Sequence, residues 1–162
     1  MRAVLADLLA ERDCLMADGA TGTNAFELGL KPGSPPDLWN IDDPEKPKGL
    51  YQAFVDAGAD IILTNTFGSN PHRLILDKME HKYRELNVNG AKLAREVADG
   101  ASRPVVIAGS MGPTGGMMEP FGDLTPDVVE DTFTKQAEAL AEGGCDVIWI
   151  ETIFAFDELG AA

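Results

Sequence analysis

No stretch of this sequence approaches the roughly 18 consecutive apolar residues that a membrane-crossing helix needs. The N-terminus Met1-Arg2-Ala3-Val4-Leu5-Ala6-Asp7 carries an acid where a signal peptide would keep its apolar core, so no membrane partner and a cytoplasmic setting are expected. Basic residues are scarce: 13 Lys and Arg stand against 27 Asp and Glu, a formal net charge of -14. Such a surface repels phosphate backbones and anionic lipid, which argues against nucleic acid as a partner. Cysteine is rarer still, with Cys14 and Cys145 each opening an apolar run, where a small, reduced, buried thiol is the usual occupant. Two thiols make neither a disulfide framework nor a metal site of their own. His72 and His81 have no cysteine near them and read as ordinary surface or helix residues. No lysine follows an apolar run, which disfavours the Schiff-base chemistry of an aldolase or lyase.

Two glycine-rich stretches also fall short of familiar motifs. The run Gly109-Ser110-Met111-Gly112-Pro113-Thr114-Gly115-Gly116 lacks the Lys-Ser/Thr ending of a nucleotide P-loop. Asp18-Gly19-Ala20-Thr21-Gly22-Thr23 offers only two of the glycines of a dinucleotide fingerprint, and no helix is expected to follow it promptly.

What remains is a chain of 162 residues with an ordinary globular composition, 44% hydrophobic and 25% charged, enough for one core. Residues Ala3 to Arg12 predict a short amphipathic helix, with Leu5, Leu8 and Leu9 on one side, plugging one end of the fold. Cys14-Leu15-Met16-Ala17 is a short buried strand that ends at Asp18, and an irregular stretch rich in Gly and Pro then runs to Asp43. Asp43-Pro44 opens a helix with Leu50, Phe54 and Ala57 facing inward and Gly58 ending it.

The apolar strand Ile61-Ile62-Leu63 leads into Thr64-Asn65-Thr66-Phe67-Gly68, and a helix from about Asp77 to Ala98 follows, with Leu86, Leu93 and Val97 inward. Gly90 inside that helix costs about 1 kcal/mol relative to alanine, which implies close packing there. Pro104 to Ala108 is the third strand. Thr125-Pro126-Asp127 starts the third long helix, with Val129, Phe133, Ala137 and Leu140 at helical spacing, and Gly143-Gly144 ends it. Val147-Ile148-Trp149-Ile150 is the fourth strand, and another helix begins near Asp157.

Strand and helix alternate, which implies parallel strands joined by right-handed crossovers. An internal repeat narrows this reading. Gly58-Ala59-Asp60-Ile61-Ile62-Leu63-Thr64-Asn65-Thr66 aligns without gaps on Gly144-Cys145-Asp146-Val147-Ile148-Trp149-Ile150-Glu151-Thr152, two strand-helix units later. Equivalent inward positions on alternate strands are a barrel feature, so the expected fold is α/β, the first half, about four βα units, of a (β/α)8 TIM barrel. The whole chain, 1–162, is then one incomplete domain. Such a half leaves an open sheet edge, so a second half, a partner chain or an oligomer must cover it.

In such a barrel the residues at the carboxyl ends of the strands meet a ligand. Asp18, Asn65, Ser110 and Glu151 each follow a different apolar run. Asp18 reads either as a partner for a cationic ligand group or as the cap of its own turn. Asn65 reads as a cavity residue or a turn cap. Glu151 is the strongest candidate, because a carboxylate after four apolar residues is costly unless it is paired or reaches a solvated cavity. Trp39, Phe67 and Phe121 are candidate pocket walls, with plain packing as the alternative.

Taken together, Asp18-Gly-Ala-Thr-Gly-Thr23, Ala59-Asp-Ile-Ile-Leu-Thr-Asn-Thr-Phe67, Gly109-Ser-Met-Gly-Pro-Thr-Gly115 and Asp146-Val-Ile-Trp-Ile-Glu-Thr152 resemble the N-terminal half of the homocysteine-binding barrel of the homocysteine S-methyltransferase family. That family includes betaine-homocysteine methyltransferases and the first module of cobalamin-dependent methionine synthase. The resemblance implies a zinc-dependent barrel that moves a methyl group from a small donor, betaine or similar, to the sulfur of homocysteine, giving methionine. It places Asp18, Gly19 and Ala20 against the amino-acid end of homocysteine, Glu151 at its ammonium group, and Asn65 in the same cavity. The overall look leans towards the betaine-type branch, without a cobalamin domain.

One departure bears on activity. The family's three zinc-binding cysteines stand in an Asn-Cys and a Gly-Gly-Cys-Cys segment of the later strands, and neither occurs here. Zinc is therefore expected only in the complete enzyme, and this chain alone is expected to be inactive. The competing expectation is a non-catalytic half-barrel that binds a small amino acid or self-assembles.

Overall fold

The structure is a computed structural model and describes residues 4–162. The chain runs α1 (Leu5–Glu11), α2 (Thr21–Glu27), α3 (Trp39–Asp42), α4 (Glu45–Asp56), β1 (Ile61–Leu63), α5 (Pro71–Leu74), α6 (Tyr83–Gly100), β2 (Val106–Met111), α7 (Pro126–Gly143), β3 (Val147–Ile150) and α8 (Phe156–Ala161). Short 3-10 turns lie at Pro36–Leu38, Ile75–Asp77 and Glu80–Lys82.

The sheet has three strands in the order β1-β2-β3, all parallel, with Ile61 opposite Val106 and Ala108 opposite Val147. The expected first strand is reduced to a single parallel bridge, Ala17 to Ile61. Two backbone bonds flank it, from Asp18 N–H to Ile61 O at 2.9 Å and from Asp60 N–H to Met16 O at 2.7 Å. The four strand-helix units expected are thus three ladder strands and one bridging segment at the edge.

Alternation along the strands separates two faces. Ile62 and Ile107 point to the helices and pack with Tyr51 and Val55 of α4 and Leu93 and Val97 of α6. Ile61, Val106 and Ala108 point the other way and are covered at their lower end by Leu8 of α1, as the plugging role predicts. Ala3, the expected start of that helix, lies outside the described residues. A further cluster, Met111, Val129, Phe133 and Leu140, seats α7 on β2.

The helix ends follow their local chemistry. Thr125 accepts a hydrogen bond from the Val128 N–H at the start of α7, and Gly144 takes the left-handed φ of 100° after its end. The close approach inferred at Gly90 is present: a Cβ there would lie 2.6 Å from Thr66 Cγ2 and 2.7 Å from Asn40 Nδ2.

Several expectations are corrected. The stretch to Asp43 is not irregular, because α2 starts at Thr21 immediately after the Asp18 turn. Its Gly and β-branched residues are poor helix formers, yet the helix forms there with Ala25 completely buried. On α4 the inward face is Pro47, Tyr51 and Val55; Phe54 is half-buried and Ala57 exposed. The helix read from Asp77 begins only at Tyr83, after Lys78 breaks the chain with a φ of 57°. β2 extends through Gly109-Ser110-Met111, so these residues are buried strand and not loop. Cys14 is exposed rather than buried, because Leu15 and Ala17 supply the inward contacts of their segment.

Candidate functional site

The carboxyl ends of the bridging segment, β1, β2 and β3 surround a cavity of about 600 Å³. All five residues singled out in the sequence, Asp18, Gly19, Ala20, Asn65 and Glu151, line it, together with Ser110 and Phe67. Strand parity explains part of this convergence. Ser110 continues the inward set Val106 and Ala108, and Glu151 continues Val147 and Trp149.

Asp18 is tied to β1, its Oδ2 accepting the Leu63 N–H at 2.8 Å. Burial pushes its carboxyl up to about 6; the Leu63 bond opposes the shift and the nearby charge of Glu151 adds to it. Glu151 is anchored through its N–H to Met111 O at 3.0 Å, and its Oε1 accepts the Ser110 hydroxyl at 2.5 Å. The next residue, Thr152, sits at a φ of 60°, an uncommon conformation for a β-branched side chain and one typical of functional turns. Among the described residues no cation pairs with Asp18 or Glu151.

Asn65 is buried and fully engaged as a donor. Its Nδ2 bonds Pro36 O at 2.9 Å and Asn40 Oδ1 at 3.1 Å, and its N–H bonds Tyr51 Oη at 2.7 Å. It therefore joins the 35–40 wall to the floor, with only its Oδ1 left for a ligand. Gly19 permits close packing on Phe54, whose Cε1 would stand 3.3 Å from a Cβ there. Ala20 is the N-cap residue of α2, and its carbonyl accepts the Asn24 amide at 2.7 Å. Of the candidate aromatic walls, Phe67 lines the cavity. Trp39 instead lies under Lys46, 4.3 Å from ring centre to Nζ, and Phe121 is 82% exposed and outside the cavity.

The sequence reading missed Asp37 and Arg73. Asp37 lies in the 3-10 turn Pro36–Leu38, is buried, and accepts the Ser69 hydroxyl at 2.6 Å and the Gly68 N–H at 3.1 Å. Burial raises its carboxyl pKa, against those two bonds and the charge of Arg73. Arg73 is the one cation among the described residues that line the cavity, which also carries the carboxylates of Asp18, Asp37, Asp77 and Glu151, and its charge acts on Asp37. Asp37 lies in a 3-10 turn and Arg73 in the single-turn helix α5, both too short for a periodicity to point inward; the only sequence signal was Pro35-Pro36-Asp37, a turn with an acid in it.

This set of groups can bind a small cationic or zwitterionic molecule, because a concave wall with more carboxylates than cations concentrates positive charge. It does not fit a zinc ion. No thiol or imidazole lines the cavity, no three His, Cys, Asp or Glu cluster among the described residues, and Cys145 packs instead between the helices and the sheet. No helix among the described residues is long and apolar enough to cross a membrane.

Comparison with known proteins meets this geometry. The family model described as homocysteine S-methyltransferase matches residues 15–162. The chain is 32% identical to the methionine synthase of Mycobacterium leprae (strain TN) over 98% of its own length and 14% of that protein's. It matches the methionine synthase of Mycobacterium tuberculosis (strain ATCC 25618 / H37Rv) with the same identity and coverage. Its fold superposes on the metallated form of the homocysteine methyltransferase MmuM from Escherichia coli with a TM-score of 0.82, at 23% identity, over 97% of this chain and 60% of that one. The oxidised form of the same enzyme gives 0.81. The chain thus spans about one seventh of the methionine synthases it matches and three fifths of the solved methyltransferase chain. The family match begins at the bridging segment and takes in every strand-end turn that lines the cavity, and the chain belongs to the homocysteine S-methyltransferase family.

Proposed function

We propose that this chain supplies the homocysteine-binding part of an enzyme that moves a methyl group from a small donor, betaine or a similar molecule, to the sulfur of homocysteine, giving methionine. The observation that carries the reading is the convergence of Asp18, Gly19, Ala20, Asn65 and Glu151 on one cavity of about 600 Å³. Within it, Glu151 and Asp18 hold the ammonium group of homocysteine; both are strand-end carboxylates on the cavity wall that no cation among the described residues pairs with. Asn65 fixes the wall that the substrate rests on. These residues bind and orient; none of them activates the thiol. In this reading residues 1–162 are the first half of a barrel, and zinc, when present, sits on residues outside this chain.

The test is methionine formation by the full-length protein with homocysteine, zinc and a panel of small methyl donors. Turnover with one donor supports the proposal. No turnover with any donor, together with no detectable homocysteine binding, overturns it.

The exposed last strand favours weighing a second reading, in which two copies cover one another as a non-catalytic half-barrel. Ile148, Trp149 and Ile150 are 36–40% exposed although they form the sheet. A dimeric mass in solution that binds an amino acid without turnover supports that reading.

A further inference from the structure

In the cavity wall, Thr64, Thr66 and Ser110 form a closed ring of hydrogen bonds, beside the residues to which the substrate contacts were assigned above. The Ser110 N–H donates to Thr64 Oγ1 at 3.0 Å, and Thr66 Oγ1 donates to the Ser110 carbonyl at 2.8 Å. Thr64 and Thr66 meet hydroxyl to hydroxyl at 2.6 Å. Thr66 has one proton, already given to Ser110, so the proton in that contact belongs to Thr64. The ring therefore runs in one direction, from the Ser110 N–H through Thr64 and Thr66 back to the Ser110 carbonyl. Gln136 steadies it from α7 by donating to Thr66 O at 2.8 Å.

All three ring residues are buried, with Thr66 and Ser110 at 0% and 2% exposure. The ring uses the two threonine hydroxyls and the main chain of Ser110, and one polar group of Ser110 remains outside it. That group is the Ser110 hydroxyl, which donates to Glu151 Oε1 at 2.5 Å. A short bond from a fixed hydroxyl to a carboxylate restricts the carboxylate's rotamer. It also occupies one carboxylate oxygen, which leaves the other to face the cavity.

We propose that Ser110 is the positioning residue of Glu151, held by the Thr64–Thr66 ring so that the carboxylate presents a single, charged, preset oxygen to the ligand's ammonium group. The ligand class rests on the function proposed above; the coupling of Ser110 to Glu151 does not. Preset geometry lowers the cost of binding, because the side chain does not have to be ordered when the ligand arrives.

The experiment is a double-mutant cycle in the full-length protein with Ser110→Ala, Glu151→Gln and the pair, read by calorimetric titration with L-homocysteine and by urea denaturation without it. Ser110→Ala is expected to weaken homocysteine about tenfold in the wild-type background, the usual scale for a hydrogen bond to a charge, and to have no further effect beside Glu151→Gln. Thr66→Val, which opens the ring without touching Glu151, is expected to weaken binding in the same direction by less, and gives the same readout if Ser110→Ala fails to fold. Equal losses in both backgrounds, or none in either, overturn the proposal. If the wild-type protein does not bind homocysteine, the proposed function fails. The urea cycle then decides the pairing: a non-additive Ser110–Glu151 term supports it and strict additivity overturns it.

Discussion

At the N-terminal ends of the strands, Asp60 and Asp146 occupy equivalent places in the internal repeat and are treated alike. Asp60 accepts the Met16 N–H at 3.0 Å and pairs with Arg12 at 2.6 Å, with Arg103 at 3.6 Å. Asp146 accepts the Ile107 N–H at 2.9 Å and pairs with Arg95 at 2.7 Å. At the carboxyl ends of the bridging segment and of β3, Asp18 and Glu151 have N–H or hydroxyl partners but, among the described residues, no paired cation. The titration behaviour diverges accordingly. Burial alone would raise Asp60, but the Met16 N–H and the Arg12 guanidinium pull it below the ordinary range, whereas burial prevails at Asp18. One end of the sheet satisfies its charges internally and is structural. The other leaves two cavity carboxylates without a cation among the described residues, the arrangement on which the proposed ammonium site rests.

The sharpest way to break this contrast is Glu151→Gln. Homocysteine affinity is expected to fall about 100-fold, or about 3 kcal/mol, while the urea midpoint barely moves. Unchanged affinity by calorimetry would remove Glu151 from the site. The mirror experiment is Asp60→Asn, which leaves Arg12 and Arg103 without their anion. Stability is expected to drop by about 2–3 kcal/mol with homocysteine affinity unchanged, as read by denaturation and titration on the same samples.

A third test uses pH. Asp18 must be ionised to hold an ammonium group, so affinity is expected to fall about tenfold per pH unit below about 6 and to be flat above it. In Asp18→Asn this dependence disappears. The smallest effect concerns stability. Because the folded-state value of Asp18 lies above its ordinary one of 3.8, the folded chain binds more protons between 3.8 and about 6, and stability falls as pH rises through that window. Asp18→Asn is therefore expected to stabilise the protein by about 1 kcal/mol at pH 8, a gain that vanishes near pH 4. Asp60→Asn, with its lowered carboxyl, shows the opposite sign at neutral pH, and two curves of the same sign would erase the distinction between the ends.

Much of the fold was legible because its long elements carry strong local patterns. α7 announces itself through Thr125-Pro126 at its start, Gly144 after its end, and Val129, Phe133 and Leu140 between them, and each behaves as read. The site was legible at strand ends, since a polar residue closing an apolar strand has few places to go. It was not legible where tertiary contacts outweigh local preference. α2 forms from residues that favour turns, with its Ala25 buried, and Asp37 becomes part of the cavity wall because Ser69 and Gly68, far along the chain, fix it there.

By itself the sequence determined the strand and helix alternation, the equivalence of Asp60 with Asp146 and of Asn65 with Glu151, the family resemblance, and the absence of a thiol set for zinc. These depend on residue identity and spacing, which are local. Only the tertiary structure decided that Asn65 spends its amide on Pro36 and Asn40, that Ser110 sits in a strand and reaches Glu151, and that Asp18 carries a carboxyl raised to about 6. Each of these depends on which groups a distant segment brings within hydrogen-bond range and on how much water it excludes, and neither quantity is encoded in any one stretch of chain.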